Sequence, residues 1–223
     1  MAYRHTPETE ARLADNRTRI LAAAQERVSR GGWADAQVAS IAAAAGVATG
    51  SVYRYFPSKA ELFAQVLADV SQREVDVLGA IAALDQPASV RLQSAIATFV
   101  RRALRNPRLA YALIAEPCEK AIDEERVKYR AAIAGVLRAI IASGKHAGEL
   151  RVGVRPDIAA TVIVGGVMEG LAGPLSPFSG KSGEDSDAYR FEVAALAEQI
   201  ALMAWAGVAK VPSTTFQGIV RSI

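Results

Sequence analysis

Residues 38–59, Val-Ala-Ser-Ile-Ala-Ala-Ala-Ala-Gly-Val-Ala-Thr-Gly-Ser-Val-Tyr-Arg-Tyr-Phe-Pro-Ser-Lys, decide how this chain is read. A short apolar helix breaks at Gly46, and Gly46-Val47 makes a tight turn with Val47 plugging the junction. A second short helix follows, carrying small polar, aromatic and basic side chains, and Pro57 ends it. This is the layout of a helix-turn-helix, whose second helix lies in the major groove of DNA.

Upstream, the spacing predicts a helix from about Pro7 to Arg30, with Ile20, Ala24 and Val28 recurring every four residues as its buried stripe. Gly31-Gly32 should end it, and Asp35 can cap the next helix, whose inner face is Val38, Ile41, Ala42 and Ala45. Residues 1–6 read as a loose arm. Downstream, Ser58-Lys59-Ala60-Glu61 is a capping box that opens a long helix with Leu62, Phe63, Val66, Leu67 and Val70 facing inward.

Further along, Pro87 behind Asp85 and Pro107 behind Asn106 each sit just inside a helix start. The first of these helices buries Leu92, Ile96, Phe99, Val100 and Ala103, and Pro117 cuts the second short. Tyr129, Ile133, Val136, Leu137 and Ile140 mark another amphipathic helix, ending near Gly144. A loop from Gly148 to Val154 leads to Pro156-Asp157, which opens a helix apolar nearly all round from Ile158 to Leu171. Gly173-Pro174 should stop it. Residues 174–186 read as a mobile loop, a last helix as about Asp187 to Val208 with Phe191, Leu196, Ile200, Met203 and Trp205, and the tail from Val211 as irregular. No strand alternation is sustained. The fold class is all-α, with an N-terminal three-helix helix-turn-helix domain (residues 1–57) and a C-terminal helical-bundle regulatory and dimerisation domain (residues 58–223).

The 223 residues are 51% hydrophobic and 22% charged, a globular composition rather than a disordered one. Residues 1–60 hold eight Lys and Arg against five acids, whereas the rest holds 18 of each sign, so the whole excess of +3 lies with the motif. That is where phosphates would be met. Cys118 is the only cysteine, which excludes an internal disulfide and fits a reducing compartment. No signal peptide is apparent. The apolar run Ile158–Met168 is shorter than the roughly 20 residues a bilayer span needs. A cytoplasmic protein with no membrane partner is expected.

Residues 17–67 resemble the DNA-binding domain of the TetR family of transcriptional regulators. The matching elements are Arg19-Ile20-Leu21, Ala23-Ala24, Gly32, Val38, Ile41-Ala42, Ala45-Gly46-Val47, Gly50-Ser51-Val52-Tyr53, Tyr55-Phe56, Ser58-Lys59 and Leu62. The resemblance covers about a quarter of the chain. It implies a double-stranded DNA operator, a homodimer and a small-molecule effector of unknown identity, with no cofactor.

For the DNA-reading helix, Thr49 and Ser51 offer hydroxyls, Tyr53 and Tyr55 phenols, and Arg54 a guanidinium for guanine or phosphate, with Gly50 of the matched motif counted among the DNA-binding candidates. Lys59 is the family's usual backbone clamp. Ser40, Arg17 and Arg19 are further phosphate candidates. Ala48 stands where the family has a capping Ser or Thr, so the cap could pass to Thr49.

For the effector, Tyr111, Cys118, Tyr129, Met168 and Trp205 could line a mostly apolar pocket, though each also reads as ordinary core. Glu116 could bind a polar ligand group or simply be a solvated helix end. Glu169, if buried, needs a partner, such as a ligand group or Arg190. The apolar helix around Ile158–Leu171, with Gly165, Gly166 and Gly170, would pair with the last helix in a two-fold four-helix interface, or serve as a central core helix. Dimerisation would set two reading helices about 34–36 Å apart on a palindromic operator.

Three functions compete: a ligand-released repressor, a small-molecule sequestering protein with vestigial DNA binding, and an enzyme. Intact Tyr53, Arg54 and Lys59 disfavour the second. The third lacks support, because His5 lies in the arm and His146 in a glycine-flanked loop, with no catalytic constellation and no metal-ligand spacing.

Overall fold

The computed structural model describes residues 7–177 and 187–210, which form nine helices and no named strand. They are α1 (Pro7–Asp35), α2 (Val38–Ala45), α3 (Thr49–Tyr55), α4 (Lys59–Ala82), α5 (Ala88–Arg105), α6 (Pro107–Ile114), α7 (Lys120–His146), α8 (Pro156–Leu175) and α9 (Asp187–Ala206). The arm with His5, the stretch 178–186, the tail from Val211 and the side chains of Arg190 and Phe191 lie outside what is described.

The all-α reading stands. Ile20, Ala24 and Val28 are fully buried, and they pack into one apolar core that continues through α4, α5, α7 and α8 to Val208. All four predicted inner residues of α2 are buried, and Gly46 closes that helix in the left-handed conformation (φ 66°). At α4 the Ser58 hydroxyl accepts from the Glu61 N–H at 3.1 Å, the first half of the capping box. The Asn106 side chain likewise accepts from the Leu109 N–H, with Pro107 in the first turn of α6.

Local expectations fail in several places. Asp35 caps nothing: it ends α1, and Gln37 occupies the N-cap of α2 without a side-chain bond. The glycine pair does break α1 as expected: Gly32, at φ 76°, leaves the helical conformation, and a short helical segment continues beyond the bend to Asp35. Pro87 is the N-cap of α5 rather than its first residue, and the cap comes from far away. The Glu149 carboxylate accepts from the N–H groups of Ala88 (3.0 Å) and Ser89 (3.1 Å). Gly173-Pro174 does not stop α8, which runs to Leu175 with Pro174 in its last turn, where only one intrahelical bond is lost.

At 20 residues α8 is, by length and composition, long and apolar enough to cross a membrane, unlike the shorter run read from sequence. Here its stripe of Ile163, Val164, Val167, Met168 and Leu171 is buried against its neighbours, chiefly α7. Its other side exposes Ile158 and Val162 beside Gly165 and Gly166. From α9, which packs on α5, Leu202 and Met203 are exposed as well.

Candidate nucleic-acid interface and effector chamber

Helix α3 is two turns long and held from one side. Val52 and Phe56 are buried in the core, which turns Thr49, Gly50, Tyr53 and Arg54 outward as two adjacent ridges four residues apart. Tyr53 is 48% exposed, and a side chain at Gly50 would meet nothing within 4 Å. Ala48 sits at the N-cap with no side-chain bond, so Thr49 is the first helical residue and its hydroxyl does not cap. Ser51 is half-buried. Lys59 opens α4 with its ammonium 5.2 Å from the Phe63 ring centre, and it has no acidic partner among the described residues.

Other candidates have structural duties. The Tyr55 hydroxyl accepts from the Asn16 amide at 3.1 Å, which ties α3 to α1. Arg19 donates to the Ala45 carbonyl at the end of α2 and passes over Gly46, leaving no room for a Cβ there. Arg17 lies over Phe56 (5.1 Å) and donates to Gln65. The Ser40 hydroxyl donates back to the Gln37 carbonyl, within one turn.

A second region lies among α4 to α8, where two cavities adjoin at Phe99. One, about 20 Å³, is walled only by apolar groups, among them Leu78, Ile96, Ile133, Val164 and Met168. The other, about 80 Å³, has Leu109 and Leu113 of α6 on its wall together with Glu74, Arg102, Asn106 and Tyr129. Arg102 grips both Glu74 oxygens at 2.7 Å, and this bond holds its guanidinium above the ordinary value despite burial. Tyr129 is 7% exposed and its hydroxyl makes no hydrogen bond to any described residue. Burial, then the nearby Glu74 carboxylate, push that phenol up, against the pull of Arg102, so it stays protonated.

Of the sequence-predicted effector residues, Tyr129 and Met168 line these cavities and five do not. Glu169 is exposed on the outer side of α8, so the burial considered for it does not occur. Glu116 is neither solvated nor free: Arg108 holds it bidentately (2.8 and 3.0 Å) and it accepts from the Trp33 N–H. Tyr111 lies under Arg108, and Trp205 packs half-buried near the end of α9. The Cys118 thiol faces Asp123 at 3.3 Å; burial pushes it up to about 11, with Arg126 opposing.

Helix α6 joins the two regions. One side faces the larger cavity. The other holds the bend of α1, where Arg108 donates to the Gly31 carbonyl (2.6 Å) and the Trp33 indole donates to the Ala112 carbonyl (2.7 Å). Arg126 of α7 ties the same turn down by donating to the carbonyls of Ala112, Leu113 and Glu116.

Comparison with known proteins agrees with this arrangement. Residues 20–66 match the family described as bacterial regulatory proteins, tetR family. That match covers the helix-turn-helix segment, about a fifth of the chain. It is 35% identical over 99 residues to the HTH-type transcriptional repressor KstR of Rhodococcus jostii (strain RHA1), a match covering 44% of this chain and 46% of that protein. The chain thus aligns with about half the length of this relative. Among solved structures it is similar to the regulator FadR from Bacillus subtilis in complex with stearoyl-CoA, with a TM-score of 0.71 and 19% identity over 85% of this chain and 98% of that one. It is also similar to SmeT, the repressor of the Stenotrophomonas maltophilia multidrug efflux pump SmeDEF, with a TM-score of 0.67 and 20% identity over 90% and 96%. At these identities the likeness is one of fold.

Trp33, Arg108, Arg126, Glu74 and Arg102 were not singled out from the sequence. A signal for three of them exists. Glu74 falls midway between Val70 and Leu78, Arg126 between Ile122 and Tyr129, and Arg102 follows Ala95 and Phe99, each in the phase of a buried stripe. Trp33 and Arg108 carry no such signal, because their partners lie on other helices.

Proposed function

We propose that this chain is a homodimeric transcriptional regulator, a repressor that binds a palindromic operator through α3 and is released by a small, mostly apolar effector. Residues 1–57 are the DNA-reading part and 58–223 the effector-binding and dimerising part of a cytoplasmic protein. One observation carries this reading: Thr49, Tyr53 and Arg54 leave the protein surface together, anchored from behind by Val52 and Phe56. Groups so placed can seat in a major groove, with Lys59 on a flanking phosphate. The excess of positive charge in residues 1–60 supports it, and so does the likeness to chains named repressors. A sequestering protein would have no use for that outward row.

Release requires an effector that binds the DNA-incompetent arrangement more tightly than the competent one. The contacts of α6 supply a route. A molecule swelling the larger cavity presses on Leu109 and Leu113, and α6 carries Arg108, Glu116 and the carbonyl of Ala112 with it. These groups hold the bend of α1, so the pose of α2 and α3 follows.

Selection of bound sequences from a random DNA pool tests the reading. Enrichment of one inverted repeat is expected, with Tyr53→Ala and Lys59→Ala each weakening binding at least tenfold while the melting temperature holds. An unenriched pool refutes it.

A further inference from the structure

The two cavities beside Phe99 differ in chemistry but share a wall. One is wholly apolar; the other has a buried, unpartnered phenol next to an ion pair that is already closed. The Tyr129 hydroxyl lines the cavity with no hydrogen-bond partner among the described residues, so a guest can complete its hydrogen bonding there. Individually, about 80 and 20 Å³ fall far below the roughly 300 Å³ at the lower end of pockets for drug-sized ligands. A sizeable guest therefore needs both chambers, with the Phe99 ring turned aside.

We infer that these chambers are the two halves of one site for an uncharged amphipathic molecule, its hydroxyl or carbonyl held by Tyr129 and its apolar body lying between Ile96 and Met168. This rests on the effector reading above and narrows the class of effector.

Charge balance disfavours charged guests. Arg102 spends Nε and Nη2 on the two Glu74 oxygens, so the polar end of the site is neutral. An entering carboxylate meets Glu74 with no second cation on the cavity wall, and an entering ammonium meets Arg102 with no second anion. The pair is half-buried, so solvent screens each like-charge encounter in part, yet each remains unfavourable beside a neutral guest. A carbonyl instead takes the Tyr129 proton, and a hydroxyl can also donate back. Neither disturbs the ion pair.

The test uses the full chain in calorimetric titrations without DNA. The probes are decyl alcohol and methyl octyl ketone, each below its solubility limit, and decanoate and decylammonium, each below its micelle concentration. The alcohol and ketone should bind about tenfold or more tightly than either ion, and Tyr129→Phe should cost them about tenfold, as one lost hydrogen bond implies. Glu74→Gln, which frees Arg102, should raise decanoate affinity by about tenfold, a gain that a purely structural Glu74 would not produce. Decanoate or decylammonium binding as well as the alcohol, an unchanged Tyr129→Phe, or no binding by any probe overturns the inference. These outcomes are separate from the operator selection: alcohol binding with an unenriched DNA pool would sink the regulator and leave the site standing, and the reverse result would do the opposite.

Discussion

Tyr53 and Tyr55 stand two positions apart on one short helix, yet their surroundings assign them different work. Tyr53 is 48% exposed with its phenol in solvent, whereas the Tyr55 oxygen accepts from Asn16 on α1. Removing the Tyr55 hydroxyl by Tyr55→Phe should cost stability, about 1 kcal/mol for a single hydrogen bond, and leave operator affinity nearly unchanged. Tyr53→Phe should do the reverse. Denaturant melts and electrophoretic titrations on both variants separate the two. Lys59 differs again, as an ammonium with no carboxylate among the described residues to hold it. Lys59→Ala should weaken every DNA sequence about equally and lower the slope of log K against log salt by roughly one. A sequence-dependent loss with an unchanged slope would place Lys59 on a base.

The start of α5 shows what one distant carboxylate does for a helix. Its N-cap is Pro87, which offers no side-chain acceptor, and Glu149 from the end of the next hairpin of helices fills the gap. Burial raises the Glu149 carboxyl, but the N–H groups of Ala88 and Ser89, the Ser89 hydroxyl and Arg91 outweigh it and hold the group below its ordinary range. A depressed folded value means that the stabilisation is complete above the unfolded carboxyl pKa of about 4.3 and is lost as pH falls through the lower folded value. Glu149→Gln should therefore flatten the acid limb of stability against pH below about 4, and Glu149→Ala should cost about 1 kcal/mol at neutral pH, as lost caps do. Thermal melts across pH 3–7 check both. The bend in α1 is similarly exacting: Gly32 at φ 76° lies beneath the Arg108 guanidinium, so Gly32→Ala should cost more than about 1 kcal/mol in a denaturant melt. Caps made within four residues, such as Ser58 to Glu61 and Asn106 to Leu109, were legible because the partner is near in the chain. So were the core stripes and the outward face of α3, which follow from helical period. Glu149 on α5, and Arg108 on Gly31, join residues 61 and 77 positions apart, and periodicity on one helix says nothing about which helix is its neighbour. The cavity polar groups fell between these cases: their inward phase was visible, their pairing was not.

How α8 and α9 are used bears on the molecule as an assembly. Both expose large apolar side chains, Ile158 and Val162 on one and Leu202 and Met203 on the other, while their opposite sides are already buried. Gly165 and Gly166 sit in the same exposed stretch of α8 with open space above them, so a second backbone can come close. The proposed two-fold pairing through these helices would bury the patch and present one α3 on each side of the axis, as a palindrome requires. Charge is the sharpest probe, since an unpaired carboxylate in such a seam is costly. Val162→Glu or Met203→Glu should shift the protein from dimer to monomer at micromolar concentration in sedimentation velocity, with helicity retained. Operator affinity should then fall to that of a half-site, and because each subunit supplies its own phosphate contacts, the salt slope should fall by about half. A wild-type chain that sediments as a monomer, or a Val162→Glu variant that still binds the full operator with an undiminished slope, would place the pairing surface elsewhere.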